Sequence, residues 1–576
     1  MDHNDIATSS LPLGAQQSQS NNNDDEEAQH FEQVIQSYQQ YATFHQTRQR
    51  GVNRRLINLL LCDEPANTNT KAASTTSTSV HHHPTLQSIL PPSLQPAGNN
   101  NSTAPEYLQY QKDFSAATIR NQYFLDNVLK YSNQETSQDV LRRWRSSRQY
   151  QQQHHHQQNQ QRIFSSTDDG GDDDDGQQIL KNDTGTSIEW TTEDRISKID
   201  SVLKSVARDW SADGQEERSA VYIKMIGALE RYLPLSSRRD STCDHQHQNR
   251  FADHGSDGDI DTNSRTNEDQ ELVDIDDSHA TIATATTIST TPRVAVPGSG
   301  LGRLAWEIYS RGYSVQGSDF SLPMLLASDF ILNGCGGGTE REDGDGGGRN
   351  SFQQFRIIPW LAETKNVLSF RDRIRTVIVP DVDPTSIDHS NYLDDECELP
   401  EFTMLAGEFL HLYSHHLPGK ERMQHHPSRH HHHPESSKKF HAVVCSFFID
   451  TAPSLPHYLL TIYHMLEEGG LFVHCGPLMY HWSGHGGLLP GDDDIGSSNS
   501  NSGNGNTYQE RNKHLDSRYL TSIDYTWEEV RYMIVKCGFD ILEEEMHIPA
   551  YYTMDGRSMM KVGYDCVYCV ARKVNR

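Results

Sequence analysis

The chain has 576 residues, of which 34% are hydrophobic, with 79 acidic against 50 basic side chains and a net charge of -29. Globular domains carry about 45–50% apolar residues, so a third or more of this chain is expected to lie outside any core, and one globular domain with long polar insertions fits better than four compact ones. The longest largely apolar run, Ala442–Ile449, is far short of the ~20 residues that span a bilayer, and Met1–Gly14 has neither the basic start nor the apolar stretch of a signal peptide, so the sequence predicts no membrane segment and no secretion.

Residues 1–28 are polar and read as disordered. A helical region is expected over 29–235, interrupted by low-complexity inserts at 62–105 and 149–185. Within it, Gln29–Leu61 has helical spacing, with Phe31, Val34, Ile35 and Tyr38 on one face. Glu106–Tyr131 is a second amphipathic helix, and Glu193–Tyr232 reads as two helices broken near Gly214. Residues 236–290 form an acidic linker; Ser236–Ala280 alone holds twelve acids and four bases. Charge runs of this kind are solvated and disordered as a rule. No basic stripe suits a phosphate backbone, so nucleic-acid binding is not expected.

A second domain is expected over 291–576, where strands and helices alternate. Strands are expected at Arg293–Pro297, Tyr313–Ser318, Arg375–Val379, Phe402–Ala406, Ala442–Ile449, Leu471–Cys475, near Phe539–Glu543 and at Tyr564–Ala571. Helices are expected at Leu301–Ser310, Ser321–Asn333, Leu455–Leu466 and Thr526–Cys537. This alternation predicts an α/β sheet. Inserts at 334–350, 415–439 and 482–512 lack hydrophobic periodicity. Nine scattered cysteines without a secretion signal read as reduced thiols of the cytosol or nucleus. Cys566-Val-Tyr-Cys569 is formally a CxxC, but it lies in an apolar run without a second ligand pair, so buried strand thiols are expected and no metal site.

The segment Val294-Ala-Val-Pro-Gly298-Ser-Gly300-Leu-Gly302-Arg-Leu-Ala-Trp306-Glu joins a strand to a helix through a glycine turn. Glycines there let backbone approach a ligand closely. The spacing is G-x-G-x-G, with Arg303 where a dinucleotide fingerprint continues, which disfavours pyrophosphate and suits S-adenosylmethionine (SAM); a tight turn without a ligand is the alternative. Asp319 follows the next strand about 20 residues on, where an acid holds ribose hydroxyls; it could equally cap the helix after it.

Seven ordered motifs carry a closer likeness: Pro297–Glu307, Gly317–Ser321, Pro380-Asp-Val-Asp-Pro384, Ala406-Gly-Glu-Phe409, Phe447–Ala452, Gly476–His481 and Ser558-Met-Met-Lys561, with Arg208-Asp-Trp-Ser211 and Glu217-Arg218 ahead of them. Together they resemble the carnosine N-methyltransferase family over about Ile196–Arg576 apart from the insertions. The resemblance implies a Rossmann-like seven-stranded class I methyltransferase sheet with an N-terminal helical region and long disordered insertions. It further implies transfer of methyl from SAM to an imidazole nitrogen of carnosine (β-alanyl-histidine), giving anserine, by a homodimer. The family's SAM contacts would fall on Arg208, Gly298, Gly300, Gly302, Asp319, Glu408, Phe409 and Ser446, and its substrate residues on Asp450, His481, Tyr552 and Tyr564, with Asp450 and His481 catalytic. This chain departs from the pattern at Ser205, Asp319, Glu408 and Ser446, and at Val562 and Gly563, which replace aromatic residues before Tyr564.

A carboxylate that accepts one imidazole N–H fixes the tautomer and leaves a lone pair on the other nitrogen. Asp450, just after a buried strand, is placed for that role; capping the helix near Ser454 is its alternative. Structural packing is the alternative for His481, Tyr552 and Tyr564. Other readings kept open are another histidine-containing dipeptide or a protein histidine as substrate, and a non-catalytic SAM-binding scaffold.

Overall fold

The computed structural model describes residues 14–62, 91, 94, 105–132, 191–235, 291–336, 352–389, 399–416, 438–483 and 522–574. The segments expected at 149–185 and 236–290, and nearly all of those at 62–105, 334–350, 415–439 and 482–512, lie outside the described residues.

Among the described residues, four long helices come first: α1 (Gly14–Cys62), α2 (Pro105–Ser132), α3 (Thr192–Trp210) and α4 (Gln215–Tyr232). The first starts fifteen residues before the expected 29, so 14–28 is helical rather than disordered; its Gln, Ala and Glu are good helix formers and extend an already nucleated helix. A capping box opens α3, with the Thr191 hydroxyl and the Asp194 carboxylate each accepting the other's main-chain N–H. Ile196, Ile199, Val202, Leu203, Val206 and Trp210 then recur at helical spacing and are all buried. The expected break near Gly214 is present. A Cβ at 214 would lie 2.1 Å from the Arg208 carbonyl oxygen, so only glycine lets the turn fold back onto α3.

The α/β region contains β1 (Arg293–Pro297), α5 (Arg303–Tyr309), β2 (Ser314–Asp319), α6 (Leu322–Asp329), β3 (Phe355–Ile357), β4 (Val377–Val379), β5 (Phe402–Ala406), α7 (Phe409–Tyr413), β6 (Phe440–Ser446), α8 (Leu455–Met465), β7 (Leu466–Gly476), α9 (Trp527–Cys537), β8 (Phe539–Tyr551) and β9 (Gly563–Lys573). Seven strands form one sheet in the order β5-β2-β1-β6-β7-β9-β8. All neighbours pair in parallel except β9, which is antiparallel to both β7 and β8. Both faces are covered, as apolar strands such as β6 require. Val294 and Val296 of β1 pack with α4 and α5, while Ala295 between them packs with α8 and α9. Helices α1 to α3 form a further layer over α6 and the β3–β4 pair.

Four expectations are corrected. Residues 447–449 leave β6, because Phe447 takes φ +49° and Ile449 begins a short 3₁₀ turn. Strands β7 and β8 begin or run well beyond the apolar stretches that marked them; β8 is 13 residues long, and its register shifts fall on either side of the charged Glu543–Glu545 segment, which stays paired with β9. The strand expected at Arg375–Val379 is shorter and belongs to a separate two-stranded sheet, paired antiparallel with β3. That partner, only three residues long, had no sequence signal.

Candidate active site

Strand order reverses between β1 and β6, and ligands of open α/β sheets bind beyond the carboxyl ends of the strands at such a point. Gly298, Gly300 and Gly302 all have positive φ there, at 68°, 56° and 80°. A Cβ on Gly298 would lie 2.5 Å from Cδ2 of Phe448, so the turn sits directly on that ring. A Cβ on Gly300 would meet nothing within 4 Å, so this side of the turn is open. The Gly300 amide donates to Oδ2 of Asp319 at 2.8 Å, and the Ser321 amide donates to Oδ1 at 2.8 Å. Burial raises the Asp319 carboxyl above its ordinary value, against the three main-chain amides of Ser321, Gly300 and Phe320 that favour the ionised form. Asp319 thus ties the glycine turn to the end of β2 and, of its about four acceptor sites, has about one left for a further donor. Ser321, not Asp319, is the N-cap residue of α6.

Phe447 and Phe448 leave β6 in different directions. Phe448 packs under Gly298 and against Phe409 and Tyr458, at 5.3 Å from each ring. Phe447 packs against Tyr552 and Tyr564, at 5.4 and 6.0 Å. Glu408 is the N-cap of α7, accepting the His411 amide at 2.9 Å and facing the Tyr458 hydroxyl. Ser446 ends β6 opposite Cys475.

Asp450 follows in the 3₁₀ turn and is buried. Its Oδ2 accepts the Met479 amide at 3.0 Å, and its carbonyl accepts the His481 amide at 3.0 Å. The helix-cap alternative for Asp450 is therefore not what its side chain does: Ser454 heads α8, without a capping side chain. Burial raises the Asp450 carboxyl, opposed by the Met479 amide and the neighbouring His481. Tyr480 between them is held at φ +43°, so with Phe447 two non-glycine residues in the left-handed region flank Asp450. Such backbone persists where surrounding packing fixes it and gathers at functional sites.

The helical layer reaches the same edge. The Arg208 guanidinium lies 4.4 Å from the Tyr552 ring centroid and pairs with Asp209. Trp210 donates from Nε1 to the Leu301 carbonyl at 3.0 Å, tying α3 to the glycine turn. Arg303, one residue past that turn, lies between Trp210 and Trp306 at 5.0 and 5.2 Å. It donates to Oδ1 of Asp381 at 2.6 Å, while Arg218 donates to Oδ2 of the same carboxylate at 3.1 Å. The structure thus joins Gly298, Gly300 and Asp319 in one group, Arg208, Tyr552 and Tyr564 through Phe447 in a second, and Asp450 with His481 in a third. Trp210, Arg303, Asp381, Phe447 and Phe448 connect these groups. Their motifs were visible in the sequence, but their roles are tertiary and carried no local pattern.

Counted within the large sheet alone, the strand order is 3-2-1-4-5-7-6 with the seventh strand reversed, the topology of class I SAM-dependent methyltransferases. A family model for carnosine N-methyltransferase matches residues 186–244 and 275–575, and the chain belongs to that family. A fission yeast relative named carnosine N-methyltransferase, from Schizosaccharomyces pombe, is 30% identical over 379 residues, 66% of this chain and 71% of its own length. The relative of that name in Mus musculus is 26% identical over 378 residues, 66% of this chain and 63% of its own length. The chain thus spans less than two thirds of the mouse protein. A solved SAM-dependent methyltransferase from Methanosarcina mazei is 13% identical, covering 50% of this chain and 94% of its own, with a TM-score of 0.22.

The site fits SAM on its own geometry: an open glycine turn, a half-buried carboxylate beside it with a lone pair to offer, and an aromatic wall of Phe448 and Phe409. No helix among the described residues is long and apolar enough to cross a membrane. Cys566 and Cys569 are buried free thiols in β9, as their apolar run implied.

Proposed function

We propose that the protein transfers a methyl group from SAM to an imidazole nitrogen of carnosine, giving anserine. The observation that carries this reading is the pairing, at one sheet edge, of the Asp319–glycine turn with a buried carboxylate, Asp450, joined to His481. Arg208, Gly298, Gly300, Gly302, Asp319, Glu408, Phe409 and Ser446 would hold the cofactor. Asp319 would take the ribose hydroxyls, and Phe448 and Phe409 would wall the adenosine. When bound, SAM supplies a methyl carbon already activated by a sulfonium.

The protein's part is to choose the nitrogen. Imidazole has an ordinary pKa of about 6.5 and is mostly neutral at pH 7. Asp450 would accept the N–H of one ring nitrogen and leave the lone pair of the other directed at the methyl carbon. Attack by that nitrogen would form the N–C bond as the S–C bond breaks, and Asp450 would face the resulting imidazolium. The carboxylate is buried, so the developing charge is stabilised without rearrangement of water. His481 would hold the substrate carboxylate or ring, with Tyr552 and Tyr564 as the opposite wall.

A second reading has one specific support. Tyr551, Met559, Met560 and Val562 are exposed in the segment that carries Tyr552 and leads to Tyr564, apolar surface suited to a longer peptide or a protein histidine. We further infer a cytosolic or nuclear protein, since Cys335, Cys445, Cys475, Cys537, Cys566 and Cys569 are free thiols, and a homodimer on the resemblance alone, to be tested by mass photometry.

The experiment is methyl transfer from labelled SAM with carnosine, homocarnosine, free histidine and cell lysate offered side by side. Carnosine labelled by wild type and not by Asp450→Ala supports the proposal. Label confined to lysate protein moves the substrate to a protein histidine. SAM binding with no transfer to any acceptor overturns catalysis in favour of a scaffold.

A further inference from the structure

Thr553 has φ +53°. A β-branched residue in the left-handed region is a true outlier, costing energy that some contact must offset. The contact is Glu217, 336 residues earlier in the first turn of α4, whose Oε1 accepts the Thr553 amide at 2.5 Å. The Met554 amide also bears on this carboxylate. Glu217 is half-buried beside Arg208; burial raises its carboxyl above the ordinary value, against the Arg208 charge and the Thr553 amide, which favour the ionised form. The residue before Thr553 is Tyr552, which lies over Arg208 and against Phe447. Past Thr553 the same loop is held on its other side, where the Met559 amide donates to the Asn366 carbonyl at 2.8 Å and Arg557 pairs with Asp372.

We propose that Glu217 is a positioning residue: by accepting the Thr553 amide it holds that residue left-handed and so keeps Tyr552 stacked over Arg208 at the catalytic edge. The inference deepens the proposed function and rests on it for the part that concerns the dipeptide. Glu217 touches neither methyl donor nor acceptor in this account. It acts through Tyr552, and it makes the helical layer part of the site rather than a cover for the sheet.

The test uses the full chain and three variants: Glu217→Ala, Glu217→Gln and the double variant Glu217→Ala/Thr553→Asn. Hydrogen exchange is followed across residues 551–556, and kcat and KM are measured separately for carnosine. Glu217→Ala should expose the 553 and 554 amides to rapid exchange and raise KM roughly tenfold, the loss of one charge-assisted hydrogen bond, with kcat within about twofold. Glu217→Gln keeps an accepting oxygen and should stay near wild type. Asn adopts the left-handed region readily, so the double variant should recover most of the lost KM. Rapid exchange of these amides in wild type overturns the clamp. So does a double variant no better than Glu217→Ala. If wild type does not methylate carnosine at all, the substrate reading fails. The clamp then stands or falls on the exchange difference between wild type and Glu217→Ala.

Discussion

Phe447 and Phe448 are consecutive residues whose rings serve different parts of one sheet edge: Phe447 meets Tyr552 and Tyr564, and Phe448 meets Gly298 and Phe409. The divergence follows from the left-handed backbone of Phe447, which ends β6 and turns the chain before Asp450. Packing on the Phe448 side leaves no room for a methyl group on the turn. Gly298→Ala is therefore expected to lose stability by about 1–2 kcal/mol from its φ alone, and more from the 2.5 Å approach to Phe448. SAM affinity should fall at least about tenfold, since that ring and that turn form one wall. Calorimetric titration with SAM beside a thermal melt checks both; a destabilised variant with undiminished affinity would remove Phe448 from the cofactor wall.

Asp319 offers a cleaner probe of the same half. Its two oxygens already hold the Gly300 and Ser321 amides, so truncation removes the ribose partner and also frees the turn. Asp319→Ala should weaken SAM binding by about 10- to 100-fold. Asp319→Asn retains one accepting oxygen and should lie between. Carnosine KM measured at saturating SAM should change little in either variant, because Asp450, His481 and the tyrosines are untouched. Normal SAM affinity in Asp319→Ala would refute the ribose assignment.

The parallel half of the fold was legible because its signals are local. β1, the glycine turn and α5 form one uninterrupted segment, and Asp319 follows at the separation such a turn requires. The helix break near Gly214 was likewise readable from a few neighbouring residues. The limits have physical causes. The helix-cap alternative for Asp450 arose because carboxylates cap helices as readily as they bind ligands. Only the Met479 amide, folded back from the end of β7, decides where this one points. Arg303 was noticed for breaking a dinucleotide pattern, yet its partners Trp210 and Asp381 lie 93 and 78 residues away. Glu217 pairs across more than half the chain. Interactions of that range leave no periodicity to read. The three-residue β3 is too short to show one.

A stability test outside the site comes from His474 on β7. It is fully buried, with Phe472 and Trp527 stacked beside it at 6.4 and 6.0 Å, and burial pushes its pKa down to about 4. The unfolded value is about 6.5. A histidine depressed in the folded state contributes stability that is present above the unfolded value and lost as pH falls towards the folded one. Between pH 7 and pH 5 this group alone should cost about 2 kcal/mol. His474→Phe should shrink the loss by that amount, read as the difference in urea unfolding free energy at the two pH values. An unchanged pH dependence would mean that His474 is protonated, or reached by water, in the folded protein.

Asp450 should show the opposite sign, and with it a conflict between stability and turnover. Its carboxyl is raised by burial, so the folded state disfavours the charge it carries at neutral pH. An acid raised in the folded state contributes stability that is present below the unfolded value, near 3.8, and lost as pH rises through the folded one. Asp450→Asn keeps an oxygen for the Met479 amide and removes the charge, so it should melt higher than wild type at pH 7 and no higher at pH 3.5. Turnover should move the other way. Asp450→Ala loses both the N–H acceptor and the charge opposite the forming imidazolium, and kcat should fall about 100-fold or more, with SAM affinity largely kept. Asp450→Asn retains an acceptor without the charge and should fall less than the alanine variant. A more stable but slower Asp450→Asn would identify the buried charge as maintained for the reaction. A variant both less stable and equally active would make Asp450 a structural anchor for the Met479 turn, and the choice of nitrogen would have to rest with His481.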